Sequence, residues 1–292
     1  MASKRKHLQE SDDVDEPPQK IADQKSDGND ESEDIDKTDG AVFPKYDLKK
    51  FKNLPAAFIF SNIKGPSGIM KDASAMVDLF EDHLKFEVVH NGNSPVFADL
   101  TGKQFKEKIA KMNEIDYSDR GGIAVILITH GNEGGKLLFH GEDGSEKTSD
   151  IDIQMDVIEP FLCNRQLAGK PKIFIITACR GDHHHGGVEV EEQTDGNIGG
   201  HFSKNIVLPK NSDVIAVYAT SEGEVAMRNN KDGSWYVQEF VDVMKKYHKK
   251  QHFLDLLVEV NRRVAEKTSE ENGITKIMPD IRSQLRKQLF LK

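Results

Sequence analysis

Lys172-Ile-Phe-Ile-Ile-Thr-Ala-Cys-Arg-Gly181 is an apolar run that ends in a cysteine followed by arginine and glycine. A short isoleucine-rich run of this kind predicts a buried strand, which delivers the Cys179 thiol to the edge of a sheet. A second apolar run, from Ile123 to Thr129, ends at His130, and this histidine lies 49 residues before Cys179. Two neighbouring strands that end in a thiol and an imidazole predict a cysteine–histidine dyad.

The two side chains are chemically complementary. A neutral thiol is a weak nucleophile, and an adjacent imidazole raises its thiolate fraction and later protonates the leaving amine. Taken alone, each residue has a simpler interpretation: His130 as a capped surface histidine, and Cys179 as a small buried hydrophobic residue. Their combination at two strand ends favours the catalytic interpretation.

From Pro55 onward, short apolar runs alternate with segments of helical periodicity, which is typical of a mainly parallel sheet covered by helices. We predict strands at residues 56–60, 86–89, 123–129, 173–178, 214–219 and 285–291. We predict helices at residues 73–84, 104–112, 151–161, 234–247 and 253–267. No internal repeat interrupts this order, so we expect one folded domain.

Composition limits the class of protein. The chain has 292 residues, of which 37% are hydrophobic, and this suffices for a full core. Two cysteines and a polar amino-terminal stretch without an apolar signal region predict a reduced, cytoplasmic protein without disulfides. No apolar run approaches the about 20 residues that a membrane-spanning helix needs, so we expect no membrane segment. The net charge of −9 argues against nucleic-acid binding.

Much of the negative charge lies in the first forty residues, which hold thirteen acidic and six basic side chains. Residues 1–45 have no aromatic side chain before Phe43, so we expect a disordered acidic segment. The Lys4-Arg5-Lys6 cluster is either a signal for access to the nucleus or plain solvated charge. The three histidines His183 to His185 suggest a zinc site or a polar loop; we favour the loop, and predict no metal and no cofactor.

The cysteine motif carries a family resemblance. Caspases share the pattern Gln-Ala-Cys-(Arg/Gln/Gly)-Gly, with a histidine about 50 residues upstream. Here the segment is Thr177-Ala-Cys-Arg-Gly181, which departs from the pattern only at Thr177. Further matches follow in the family's order: Leu167-Ala-Gly-Lys-Pro-Lys172, Arg228-Asn229, Asp232-Gly-Ser-Trp-Tyr236, Leu256-Leu257, Val260-Asn-Arg-Arg-Val264 and Met278-Pro279. The chain therefore resembles the caspases from about Ala57 to Leu291.

This resemblance implies a caspase-like α/β fold, a three-layer sandwich with a mostly parallel six-stranded sheet flanked by helices. It implies an acidic prodomain (1–45), a large subunit (46–195), and the linker remainder with the small subunit (196–292), the two subunits forming one folded domain. As in an effector-type zymogen, cleavage is expected after Asp195 and after Asp39, each flanked by threonine and glycine. The alternative is that Asp-Gly is ordinary turn chemistry at both places.

The resemblance also assigns roles in catalysis. Cys179 corresponds to the nucleophile and His130 to the general acid and base. The backbone N–H groups of Gly131 and Cys179 correspond to the oxyanion hole, which meets negative charge only as it develops in the reaction.

The resemblance breaks down at the aspartate pocket, which in caspases consists of two arginines and the motif glutamine around the substrate carboxylate. Arg228 corresponds to one arginine, whereas Pro66 stands at the other arginine position and Thr177 at the glutamine position. Met227 replaces the aromatic side chain that precedes the pocket arginine, and either alters the groove or packs as core. We therefore expect a weakened aspartate pocket.

Two functions follow from this combination. The intact dyad predicts an active caspase-type endopeptidase that cleaves protein or peptide substrates after aspartate or with an altered preference. The damaged pocket predicts a weakly active or decoy homologue in apoptotic signalling, which forms a homodimer or a heterodimer with another caspase and modulates it. Leu285, Leu289 and Phe290, within Gln284–Leu291, predict an apolar last strand for such a dimer, with inward packing as the alternative. We favour the modulatory function.

Overall fold

A computed structural model of the chain describes residues 43–63, 68–132, 135–141, 149–181, 208–229, 232–269 and 275–291. The predictions for residues 1–42, which include Asp39, lie outside this part of the chain. The same holds for Pro66, for the three histidines at 183–185 and for Asp195. Within the described ranges, no helix is long and apolar enough to cross a membrane.

The described part of the chain alternates strands and helices. The strands are β1 (Ala56–Ser61), β2 (Glu87–Val88), β3 (Phe97–Ala98), β4 (Ile123–Ile128), β5 (His130–Gly131), β6 (Lys136–Phe139), β7 (Ser149–Asp152), β8 (Lys172–Thr177), β9 (Val214–Tyr218), β10 (Arg228–Asn229), β11 (Gly233–Ser234) and β12 (Asp280–Ser283). The helices are α1 (Gly68–Asp78), α2 (Gly102–Asn113), α3 (Glu159–Leu162), α4 (Trp235–Tyr247) and α5 (Phe253–Glu266).

The central sheet has the strand order β12-β9-β8-β4-β1-β2, and the short β3 also pairs with β1. Neighbouring strands run parallel, except that β12 is antiparallel to β9. The strands β1, β4 and β8 are buried at every residue, as expected for parallel strands covered on both faces. The predicted mostly parallel α/β sandwich is confirmed, with six strands in the main path and β3 as an addition.

Two apolar layers separate the sheet from its helices. Successive side chains of a strand point to opposite faces of the sheet, so β8 contributes to both layers. Ile173 and Ile175 join the cluster that contains α1, α4 and α5, whereas Phe174 and Ile176 join the cluster that contains α2 and α3. Two smaller sheets, β5-β6-β7 and β10-β11, lie outside the central one.

The last strand lies earlier in the chain than predicted. β12 is the edge strand, and residues Gln284–Leu291 contain no strand. Leu289 and Leu291 are 0% and 1% exposed and belong to the core cluster of α5. The prediction of an apolar dimer edge in this segment is therefore wrong, because the leucines pack inward. The exposed edge strand instead carries the polar side chains of Arg282 and Ser283.

Other element boundaries also differ from the predictions. Residues 151–161, predicted as one helix, begin in β7 and continue as a π-helical turn, Ile153–Ile158, before α3. Asp152 sets this boundary, because its carboxylate accepts the N–H of Met155 at 2.7 Å and caps the turn. The helix predicted from residue 73 begins at residue 68 as α1, and the second predicted strand is reduced to the two residues of β2.

A buried carboxylate joins the amino edge of the sheet to the two ends of the described chain. Asp213, which precedes β9, is 0% exposed and has a φ of 64°. It accepts the Tyr46 hydroxyl at 2.6 Å and the Arg286 Nε and Nη2 groups at 3.0 and 2.9 Å. Burial, followed by the hydrogen bond to Asp213, raises the pKa of Tyr46. The carboxylate thus fixes residues 240 positions apart in the sequence, Tyr46 and Arg286.

Asp213→Asn should lower the free energy of unfolding by about 2 kcal/mol, because it removes the charge but keeps the shape and tolerates the positive φ. Tyr46→Phe should cost about 1 kcal/mol, the usual value of one hydrogen bond. Urea unfolding of the full chain measures both. Asp78→Asn, at an exposed position of α1, is the matched control. An Asp213→Asn cost equal to that of the control would contradict this role.

Candidate active site

The register between β4 and β8 brings the ends of the two apolar runs together. Ile128 pairs with Thr177, and the N–H of Thr129 donates to the Thr177 carbonyl at 3.1 Å. His130 and Cys179 each stand two residues beyond this pair, and both are half-buried. Parallel strands end at the same edge of a sheet, so the candidate dyad lies at the carboxyl edge of the two central strands.

Backbone contact at Gly131 fixes this arrangement. A Cβ on Gly131 would lie 2.1 Å from the carbonyl oxygen of Cys179 and 3.1 Å from that of Lys136. Only glycine permits such an approach, because the chain after His130 runs directly against the backbone of Cys179. The structure therefore places Gly131 beside the nucleophile position, where the sequence predicts an oxyanion-hole N–H.

The residues after Cys179 are held just as closely by the loop that follows β9. A Cβ on Gly181 would lie 2.1 Å from the carbonyl oxygen of Gly223. The backbone N–H of Arg180 donates to the backbone carbonyl of Glu224 at 2.9 Å, and the N–H of Gly223 donates to the backbone carbonyl of Arg180 at 3.1 Å. Both sides of the cysteine are thus anchored by backbone, on one side by β5 and on the other by this loop.

Arg180 adds a buried side-chain anchor next to the thiol. Its guanidinium is 4% exposed and donates to Asp280 at 3.0 Å and to Glu222 at 3.3 Å. It also lies 4.2 Å above the ring of Tyr218, a cation–π geometry. The side chain therefore links the end of β8 to β9 and β12.

Arg228, the arginine of the predicted aspartate pocket, lies in β10 with its side chain 19% exposed. Its Nε is 3.7 Å from the Asp72 carboxylate. Burial lowers the pKa of Arg228, while the negative charges of Asp72 and Cys179 oppose that shift. Arg228 is therefore within electrostatic range of a negative charge at Cys179, the candidate nucleophile.

Asp72 is a buried carboxylate that the sequence did not single out as functional. It is 3% exposed, and both of its oxygens accept the N–H of Ser234 at 3.0 Å. Burial raises the pKa of Asp72 to about 6, against the opposing effects of the Ser234 N–H and of Arg228. A signal was present in the sequence, because Asp72 precedes Ala73 and Met76 on the apolar face of a predicted helix.

Thr177 and Met227, two residues of the predicted pocket, differ in how deeply they are buried. Thr177 is 0% exposed, and its hydroxyl has no hydrogen-bond partner among the described residues. It continues the alternation of Ile173 and Ile175, so it faces the layer that contains α1 and α4. Met227 is half-buried and packs against the same core cluster. The structure thus agrees with the core interpretation of Met227.

The described residues contain no group of three or more His, Cys, Asp or Glu side chains arranged for a metal ion. The second cysteine, Cys163, is exposed, and both it and Cys179 are free thiols. The site described so far consists of a thiol, an imidazole, backbone N–H groups and an arginine, which together fit nucleophilic cleavage of an amide.

Comparison with known proteins identifies the family, since the model of the caspase domain matches residues 56–290. The chain belongs to the caspase family. Caspase-14 of Homo sapiens is 32% identical over 261 residues, 85% of this chain and 96% of that protein. Caspase-3 of Mus musculus is 32% identical over 232 residues, 77% of this chain and 76% of that protein. Membership makes this chain a relative of cysteine proteases that act on protein substrates.

A solved caspase also has this fold. The crystal structure of caspase-1 from Spodoptera frugiperda matches with a TM-score of 0.69 at 24% identity, covering 85% of this chain and 95% of that chain. At this identity the likeness supports the caspase-like arrangement of sheet and helices alone.

Gly131→Ala should destabilise the chain by about 1–3 kcal/mol, because the new methyl group overlaps the Cys179 carbonyl and separates the ends of β4 and β8. Alkylation of Cys179 by iodoacetamide should also slow, since His130 moves with the displaced strand. Urea unfolding and mass spectrometry of the labelled peptide measure the two effects. Gly92→Ala is the control, because its Cβ meets nothing within 4 Å and only its φ of +65° opposes the change. Alkylation of Cys179 that is as fast in Gly131→Ala as in Gly92→Ala would refute the close-contact role.

Proposed function

We propose that this caspase-family chain is a cysteine endopeptidase with a working Cys179–His130 dyad and low intrinsic activity on aspartyl substrates. The observation that carries the proposal is the state of Arg228. Its guanidinium lies within electrostatic reach of Cys179 but already faces the buried carboxylate of Asp72. The site thus supports the chemistry of a protease better than it supports the binding of an acidic substrate side chain.

The proposed reaction follows from the groups at the carboxyl edge of the sheet. His130 accepts the Cys179 proton, and the thiolate forms a bond to the scissile carbonyl carbon. The resulting oxyanion accepts hydrogen bonds from the N–H groups of Gly131 and Cys179. His130 then gives its proton to the leaving amine as the carbon–nitrogen bond breaks, and water hydrolyses the thioester with His130 as the base.

The proposed weakness of the pocket comes from two missing side-chain hydrogen-bond donors for the substrate carboxylate. A substrate aspartate would find the Arg228 guanidinium, but Thr177 offers a short and fully buried hydroxyl in place of a glutamine amide. Proline at position 66 brings neither a charge nor a backbone donor. Loss of one partner from a buried charge pair costs about 2–5 kcal/mol, equivalent to about 30-fold to several thousand-fold in binding.

A second function, modulation of another caspase, is favoured by the edge strand. β12 ends the central sheet and pairs only with β9 within the described chain. A strand edge of this kind offers backbone N–H and C=O groups to a second chain, a second copy or another caspase. Arg282 and Ser283, rather than an apolar row, would then contribute the side-chain contacts. On this proposal the chain acts in the cytoplasm, in apoptotic signalling, and is processed at Asp195 and Asp39.

Restoring the pocket tests the proposed function. The combined Thr177→Gln and Pro66→Arg variant should raise kcat/KM on aspartyl peptides by at least about 100-fold, and each single change should give far less, because both donors bind one carboxylate. Steady-state hydrolysis of aspartyl and matched alanyl peptides provides the measurement, with Cys179→Ala as the inactive control. If the wild type already cleaves aspartyl peptides as fast as the double variant, the pocket is not impaired.

A further inference from the structure

We propose that Asp72 is the internal counter-ion of Arg228: it positions the guanidinium and limits how strongly that group attracts an acidic substrate side chain. The proposal deepens the proposed function and rests on it, because Arg228 is taken there as the substrate-binding arginine. It makes Asp72 a positioning and specificity-determining residue that acts through Arg228.

Asp72 contacts both strands of the β10-β11 hairpin. Arg228 and Ser234 are directly opposite each other in the register of these two strands. Asp72 binds both members of the pair, with Ser234 through its backbone N–H and with Arg228 through Nε. A single carboxylate from α1 therefore fixes the strand that carries the pocket arginine.

The contact with Arg228 is electrostatic and incomplete. At 3.7 Å, the Nε group is too far from the carboxylate for a normal hydrogen bond, and it has no other hydrogen-bond partner among the described residues. The side chain of Asp72 is 2% exposed and that of Arg228 is 19% exposed, so the pair lies in a region of weak screening. Arg228 is thus held by charge on its Nε side rather than by a hydrogen bond to Asp72.

A substrate aspartate would be the second anion on this one cation. Two arginines are the family's solution, but position 66 holds proline. With Asp72 ionised, the charges of Arg228, Asp72 and the substrate carboxylate sum to minus one, and the two carboxylates repel each other. With Asp72 neutral, the sum is zero and the attraction of Arg228 is unopposed. Repulsion between the Asp72 carboxylate and a substrate carboxylate that share one guanidinium is enough to change the preference for an aspartyl over an alanyl side chain by about tenfold.

Acidification should therefore strengthen the pocket. Burial places the pKa of Asp72 at about 6, so the group is mostly ionised at pH 7.5 and mostly neutral near pH 5. A substrate carboxyl with an ordinary pKa of about 4 stays ionised at both values.

Other charged groups stand on the elements around α1. Lys71 is exposed on the helix surface, and Asp232 is exposed before β11. On α4, Glu239 pairs with Lys267, and Asp242 pairs with Lys246 and Arg263, away from Asp72. β1, the strand packed beneath α1, has no charged residue. A negative charge at Cys179 also acts on Arg228, so the test must cancel its contribution.

The test compares two covalent reagents that differ only in the side chain offered to the pocket, an aspartyl and an alanyl peptide chloromethyl ketone. Their rate constants at Cys179 are measured by mass spectrometry of the full chain at pH 5.2 and pH 7.5. The ratio of the two cancels changes in thiolate and imidazole ionisation, which affect both reagents equally. The variants are Asp72→Asn, which keeps an acceptor for Ser234, and Asp78→Asn on the exposed face of α1 as the control.

In the wild type and in Asp78→Asn, the aspartyl-to-alanyl ratio should rise about tenfold from pH 7.5 to pH 5.2. In Asp72→Asn the ratio should be high at both pH values and nearly flat. A flat ratio in the wild type, or a ratio in Asp72→Asn that falls below the wild type at both pH values, would overturn the proposal. If Asp72→Asn fails to fold, the change of the aspartyl-to-alanyl ratio between pH 7.5 and pH 5.2 in the wild type decides whether the proposal holds.

A readout without catalysis separates this proposal from the proposed function. The Arg228 Nε resonance should titrate near pH 6 in the wild type and not in Asp72→Asn, and its failure to do so would overturn the role of Asp72. Failure of Cys179 to react with either ketone or with iodoacetamide would instead contradict the working dyad, while the titration of Arg228 would still decide the question of Asp72.

Discussion

The close passage of the backbone after His130 against the backbone of Cys179 is the constraint on which the site depends. It requires parallel pairing of β4 with β8 through Ile128 and Thr177, and it requires glycine at position 131. Buried apolar strands fix the register, because a shift of one residue would turn every side chain to the wrong face. The fold therefore sets the position of the thiol with respect to the imidazole before any substrate binds.

On the proposed function, the charge balance at Arg228, rather than the dyad, determines which substrate side chain the site accepts. Close backbone contacts hold the chain on both sides of Cys179, whereas the Arg228 side chain faces the Asp72 carboxylate. A caspase fold built to bind aspartate would need more positive charge at this place than the described residues provide. Low activity on aspartyl substrates and intact chemistry at the thiol are thus compatible, because they depend on different parts of the sheet edge.

Strong periodic signals made the sheet predictable, and with it the position of His130 and Cys179 after two neighbouring strands. The isoleucine-rich runs of β4 and β8 have no polar residue to interrupt them, and each ends two residues before a member of the predicted dyad, His130 or Cys179. The C-terminal segment was misassigned because its leucines alternate as they would in a strand, although backbone pairing at Gln288 turns them into the core. Asp72 was missed because nothing local reveals its partners, Arg228 and Ser234, which follow it by more than 150 residues.

Self-processing tests the central claim most directly, namely a working dyad behind a weak aspartate pocket. Intact-mass analysis over time would follow purified full-length protein and its Cys179→Ala variant for a break after Asp195. The account predicts that the wild type is cut slowly and incompletely and that the variant is never cut. Rapid and complete processing of the wild type would contradict the weak pocket, and a complete absence of cutting would contradict the working dyad.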